Sequence, residues 1–209
     1  MNNLQTEAPA VLSFLDTLRQ ETSACHTALE ANPASVALLQ PDLSLASYQY
    51  YLTAMYGMKK ACEDQVFPLL QNLLPDLESR KKADLILADL RHTGYTAAQL
   101  EQIPVYRFEV AGIAAALGIM YVLEGSTLGG RVLYKHVQKA LGLDEGSGAS
   151  YFSGYGADTA AKWRLFLSCL TTGAEDKDAA GGIVASAIRT FSQMDLWLSG
   201  AHLNQAHGH

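Results

Sequence analysis

The sequence predicts an all-α fold, a single domain built as a bundle of seven or eight helices. Three observations carry this. Strand signals are nearly absent: no alternating β-branched run occurs, and no Asn-Gly or Asp-Gly pair marks a hairpin. Apolar residues instead recur at helical spacing along most of the chain. No repeat and no long linker divides the 209 residues, a length suited to one domain spanning residues 1–209, with a core over about 12–198.

The elements follow in order. Residues 11–31 place Leu15, Leu18, Thr22, Cys25 and Leu29 on one stripe, and Asn32-Pro33 ends the helix. Asp42 or Ser44 caps a long second helix, in which Pro68 must cause a kink or a break, because its ring clashes with the preceding turn. Residues 78–94 form a shorter amphipathic helix closed by Gly94. Residues 109–125 are apolar nearly all round, as a buried helix requires. GSTLGG follows at 125–130, helical spacing resumes over 131–143, and a Gly-rich loop, DEGSGAS, comes next. Helices over 157–170 and 181–202 complete the chain.

Composition narrows the function classes. Apolar residues make up 49% and charged residues 17%, the balance of a globular protein. The net charge of −6 argues against nucleic acid, whose phosphates need a basic face. The three cysteines are scattered without metal-ligand spacing, which fits a reducing compartment. The N-terminus lacks the basic and apolar regions of a signal peptide. The longest apolar stretch runs about 13 residues before Glu124, short of a bilayer span. A cytoplasmic protein without membrane or nucleic-acid partners is expected.

Two features stand out against this background. In RQETSACHTALEANP, His26 is followed one helical turn later by Glu30, about 40° round the axis. Such a histidine is either a packed or surface residue, or one set to hold a metal or cofactor. In GSTLGG, three glycines occupy six positions between helical stretches, although each interior glycine costs a helix about 1 kcal/mol relative to alanine. The segment is an interhelical loop, a close helix crossing, or a kinked helix whose backbone approaches a flat ligand closely. It is not a phosphate loop, because it lacks the GK[ST] ending and no strand precedes it. Other metal signatures are missing: no Glu-x-x-His pair, no HExxH and no CxxCH occur. Asp89 and His92 share the first of these spacings, but one such pair arises readily by chance. His92, His136, His202, His207 and His209 read as surface or tail residues. A histidine on one helix and a glycine-rich helix opposite it could hold haem between them, leaving one iron position open for O₂.

The segments LRQETSACHTALE (18–30) and YVLEGSTLGGRVL (121–133) resemble those of haem oxygenases, most closely the bacterial biliverdin-forming type that supplies bacteriophytochromes. YFSGYGADTAAKWRLF (151–166) and AIRTFSQMDLWL (187–198) add weaker matches, so the resemblance covers approximately residues 12–198. It implies haem held between a proximal and a distal helix, with His26 as the iron ligand and Glu30 hydrogen-bonded to the other ring nitrogen. The distal helix would carry Gly125, Ser126, Gly129 and Gly130, whose missing side chains let the backbone press bound O₂ toward one ring carbon. Ser126 stands where animal members have an aspartate that organises distal water. Glu124 is the nearest carboxylate, without an assigned role. Arg19 and Arg164 are candidates for the haem propionates, since guanidinium suits carboxylates. Phe166, Phe191 and Trp197 are core or pocket walls.

The resemblance further implies that haem is both substrate and cofactor, cleaved with O₂ and electrons to biliverdin, CO and ferrous iron. The electrons would come from a redox donor protein, a ferredoxin or flavoprotein reductase. A non-enzymatic haem carrier or sensor on the same fold is the main alternative. A helical hydrolase or metal enzyme, and a purely structural bundle, fit the residues less well.

Overall fold

The computed structural model describes residues 13–201, and the tail histidines His202, His207 and His209 lie outside them. Helix α1 (Phe14–Glu30) opens where the Ser13 hydroxyl accepts the Asp16 N–H at 3.2 Å, supplying one of the partners that a helix start lacks. Asn32 does not merely end α1. It caps a short α2 (Pro33–Ala37), and its amide nitrogen donates to the Asp195 carbonyl, the Asp195 carboxylate and Ser199, fastening this corner to the far end of the chain. Of the two candidate caps for the next helix, Ser44 is the one used.

Helix α3 (Leu45–Gln65) is buried on most of its circumference, and the expected break falls just before Pro68, with α4 (Phe67–Leu70) resuming after Val66. The helix expected over 78–94 is divided. Leu77–Arg80 form a 3₁₀ turn, and α5 (Ala83–His92) starts where the Glu63 carboxylate accepts the N–H groups of Lys82 and Ala83 at 2.6 and 2.9 Å. A carboxylate borrowed from α3 therefore caps α5, a partner that local sequence cannot reveal. Gly94 closes the segment at φ +108°. A capping box of Thr96 and Gln99 begins α6 (Ala97–Glu101).

The largest departure from expectation is α7 (Gly112–Leu141), one helix of 30 residues that runs straight through GSTLGG. The loop reading of that segment is overturned, and the separate helix over 131–143 is the last part of α7. Tertiary packing offsets the glycine cost. The clearest case is Gly118, where an added Cβ would stand 2.5 Å from the Ile183 carbonyl, so α7 and its neighbour cross in close contact. By length and composition α7 could cross a membrane, although half of its most apolar window is buried within this fold. Helix α8 (Thr159–Thr172) and helix α9 (Lys177–Leu196) follow; Asp176 caps α9, starting it four residues before the expected Gly181. A π-type turn, Trp197–Ala201, follows α9, and the buried Trp197 donates its indole N–H to the Ala54 carbonyl at 2.9 Å.

The architecture places α7 centrally. Helix α9 packs along α7 and also along α1, so α1 and α7 become the two sides of a gap floored by α9. The core runs from Leu18 to Leu198 and draws on most elements. Phe166 and Trp197 are fully enclosed in it.

Candidate functional site

The gap between α1 and α7 is a cavity of about 350 Å³, within the range of roughly 300–1,000 Å³ usual for small-molecule sites. Helix α1 contributes Arg19, His26, Leu29 and Glu30, which share one face by helical spacing. Helix α7 contributes Tyr121, Val122, Gly125, Ser126 and Leu128. Trp163 of α8 and Phe191 and Met194 of α9 complete the lining. Most of these groups are apolar.

His26 is 56% exposed in its side chain, and its Nδ1 lies 3.6 Å from Glu30 Oε2. Its ring meets Phe191 edge-on, with centroids 5.6 Å apart. The imidazole is thus braced from two sides, and Nε2 is the ring nitrogen that Glu30 does not engage. Arg19, exposed, lies 3.5 Å from Asp16. On the facing helix, an added Cβ at Gly125 would come within 3.6 Å of Trp163, an ordinary contact, and at Gly129 would meet no protein atom within 4 Å. Here the glycines leave space in front of the helix. Gly130 differs: it is buried, and a Cβ there would press the Phe152 carbonyl at 3.0 Å, so packing accounts for it.

The structure therefore brings together Arg19, His26, Glu30, Gly125 and Ser126 in one cavity. Gly129, one turn beyond Gly125, and Gly130 are outside the lining, as is Arg164, an exposed residue of α8 whose neighbour Trp163 faces the cavity instead. Phe191 is a pocket wall. Asp89 and His92 do not act as a pair. Asp89 is buried, and its carboxylate accepts the N–H groups of Ser150 and Tyr151 and the Ser150 hydroxyl at 2.7–2.8 Å, while His92 Nδ1 is 2.9 Å from the Ala88 carbonyl. His136 lies on the surface, with Nε2 2.9 Å from the Gln40 carbonyl. Among the described residues no group of three or more His, Cys, Asp or Glu is placed to hold a metal ion.

Sequence reasoning missed what stands behind α7. Glu124 is buried and turned away from the cavity: Arg80 ion-pairs with it, and the Tyr155 hydroxyl donates to it at 2.9 Å. Arg80 also bonds Asp76 at 2.7 Å, and Asp76 accepts from Lys162 at 2.8 Å. Burial, and then the Glu124 charge, push the Tyr155 hydroxyl far up, so it stays a donor. Lys59, buried in α3, donates to the Leu123 carbonyl and lies 3.4 Å from Ser126 Oγ. Lys82 donates to the Gly154 carbonyl, and burial lowers its ammonium to about 8. Local sequence offers little signal: Lys59 adjoins Lys60, Arg80 and Lys82 lie in the charged run ESRKK, and their partners are 44 to 72 residues away.

The heme oxygenase family model matches residues 12–199. The chain belongs to the heme oxygenase family. Heme oxygenase PigA of Pseudomonas aeruginosa is 32% identical over 136 residues, which is 63% of this chain and 65% of the relative. Among solved structures, the NO- and CO-bound heme oxygenase of Neisseria meningitidis shares the fold at a TM-score of 0.74 and 24% identity, covering 92% of this chain and 93% of that one. Heme oxygenase-1 of the cyanobacterium Synechocystis sp. PCC6803, solved in complex with heme, gives a TM-score of 0.72 at 18% identity, covering 94% and 93%. At these identities the structural likeness establishes a shared haem oxygenase fold, and the site must be argued from this chain's own residues.

Proposed function

We propose that this protein is a haem oxygenase that cleaves haem, with O₂ and electrons, to biliverdin, CO and ferrous iron, using the cavity between α1 and α7. The observation that carries the reading is a histidine and a glycine-backed helix lining one mostly apolar cavity. The residues fit haem in chemistry. The apolar lining suits the macrocycle, Nε2 of His26 is left for iron, and Arg19 at the same cavity suits a propionate. Bound haem supplies the iron at which O₂ is reduced and the ring that is oxidised.

The protein's own part is orientation, exclusion of water and management of protons. Glu30, 3.6 Å from Nδ1, favours the tautomer that leaves Nε2 unprotonated for the metal. Gly125 in the lining, and Gly129 one turn beyond it with open space before its backbone, would let α7 come near the ring face and restrict which ring carbon is approached. Trp163, Phe191 and Met194 keep the cavity dry. Ser126 is the serine hydroxyl of α7 in the lining, where Tyr121 is the other hydroxyl of that helix, and it can carry a proton into the cavity. Gly130 and Arg164 are assigned weaker parts, as packing of the distal helix and as a cation near the α8 wall.

The wider reading is a cytoplasmic, single-domain, iron-handling enzyme. A ferredoxin or flavoprotein reductase supplies its electrons, and a bacteriophytochrome is a candidate user of the biliverdin. The test is product formation. Purified protein is loaded with hemin and given a ferredoxin reducing system in air; biliverdin is followed by chromatography and CO by capture on ferrous myoglobin. Stoichiometric release of both is expected. Stable haem with neither product would make the protein a carrier.

A further inference from the structure

The α7 wall has no carboxylate facing the cavity, because Glu124 is turned into the protein and held there by Arg80 and Tyr155. Among the described residues two titratable side chains reach Ser126: Tyr151, whose phenol burial keeps protonated, and Lys59, the one cation, 3.4 Å from its Oγ. Lys59 is 6% exposed, and its ammonium donates to the carbonyl of Leu123, in the turn that also carries Ser126. Ser126 in turn donates its hydroxyl hydrogen to that same carbonyl at 2.7 Å. Ammonium and hydroxyl thus converge on one carbonyl, with the hydroxyl between the ammonium and the cavity wall.

We propose that Lys59 is the positioning residue of the α7 wall, holding the Ser126 hydroxyl and restoring the proton that this hydroxyl delivers into the cavity. The inference rests on the haem oxygenase reading. Delivery requires Ser126 to turn from Leu123 toward the cavity. Its O–H bond breaks as the proton passes to an acceptor oxygen there. One Lys59 N–H bond breaks as its proton passes to Ser126 Oγ, which is again a hydroxyl, and Lys59 is left a neutral amine. Solvent water reprotonates the amine between turnovers. No electron is transferred in these steps, and the charge lost by Lys59 neutralises the charge on the acceptor.

The surroundings of Lys59 suit such a donor. Burial lowers its ammonium below the ordinary lysine value, while Glu124 of α7 and Cys62 and Glu63 of α3 oppose that shift. Lys82, at the start of α5, adds like-charge repulsion, and Arg80 borders the same small void. Tyr151 hydrogen-bonds Ser126 and is itself held protonated by burial. A buried ammonium that gives up its proton more readily than a surface lysine, yet has a carboxylate in its neighbourhood, is poised for repeated use.

The experiment uses the haem-loaded protein with Lys59→Met, Lys59→Arg and Ser126→Ala, with the wild type run beside them. Wild-type turnover must be seen first; its absence would sink the haem oxygenase reading itself and not this refinement. With turnover present, Lys59→Met and Ser126→Ala should each slow biliverdin formation about 100-fold, the scale of a lost acid-base partner, with hemin affinity kept within threefold. The wild-type rate should fall as pH rises and Lys59 loses its proton; that limb should vanish in Lys59→Met and also in Lys59→Arg, whose guanidinium keeps its proton and should not restore the rate. CO bound to the reduced protein supplies a second readout: its stretching frequency should rise in both Lys59→Met and Ser126→Ala, as a donor is withdrawn. Should Lys59→Met fail to fold, the Ser126→Ala rate and the Lys59→Arg pH profile carry the test. Wild-type rates, pH limb and CO frequency in Lys59→Met, or in Ser126→Ala, would overturn the proposal.

Discussion

The two walls of the cavity are held in opposite ways. The α1 wall is local and open: His26 and Glu30 are 56% and 69% exposed and lie one turn apart on the same helix. The α7 wall is backed by a buried polar layer, in which Arg80 and Glu124 have side chains 0% and 4% exposed and draw further partners from Asp76, Tyr155 and the Lys162 carbonyl. The exposed wall can change with little cost to the fold, whereas the backed wall ties the site to stability. A ligand histidine needs an open ring nitrogen, and a distal helix that must present bare backbone needs its other face firmly held.

The sharpest way to break the contrast is to cut one member from each wall. Arg80→Leu leaves the Glu124 carboxylate buried without its guanidinium and should cost about 3–5 kcal/mol in urea unfolding. His26→Ala, on the open wall, should change stability by less than about 0.5 kcal/mol. Comparable losses in the two variants would erase the distinction.

Alkaline stability sharpens it further. The Lys82 ammonium is held at about 8 in the folded state against 10.5 in its absence, so between these values the unfolded chain binds the extra proton. Stability should therefore rise as pH goes from about 8 to 10, and Lys59, lowered in the same direction, adds to it. Above about 10 the buried tyrosines, held protonated only in the fold, reverse the trend. Urea midpoints across this range should show the rise, and Lys82→Met should reduce it.

At Gly129 stability and activity should part company. A Cβ there meets no protein atom, so Gly129→Ala should stabilise the haem-free protein by up to about 1 kcal/mol through helix propensity, while slowing turnover by crowding the ring. A gain in both would mean that the missing side chain has no bearing on the ligand. The smallest effect is expected at Glu30: with Nδ1 3.6 Å away and both groups exposed, Glu30→Gln should weaken hemin binding by about tenfold at most, read from a Soret titration.

This asymmetry also explains what could be read from the sequence. His26 and Glu30 are partners within one helix, so spacing alone puts them on a common face. The break near Pro68, the cap at Ser44 and the stop at Gly94 are similarly local. The continuity of α7 was not legible, because glycine propensity argues for a loop while the packing that overrides it comes from Ile183 and Phe152. Nor was the backing of the distal wall: Lys59 reads as one of two adjacent lysines, and only the fold sets it against Ser126. The start of α5 at Ala83 depends on the carboxylate of Glu63, and the pocket walls Trp163 and Met194 are ordinary core-type residues until α8 and α9 are in position. Arg164 shows the converse, since its residue type suited a propionate but its helical phase turns it to solvent.

The central claim is that haem binds between α1 and α7 with its iron on His26, and chemical rescue tests it most directly. Hemin is titrated into the wild type and into His26→Ala, each with and without added imidazole, and the Soret band is recorded. The account predicts a histidine-type band in the wild type, its loss in the variant, and its return when imidazole occupies the vacated volume. A wild-type band that persists unchanged in His26→Ala without imidazole would place the iron elsewhere and contradict the account.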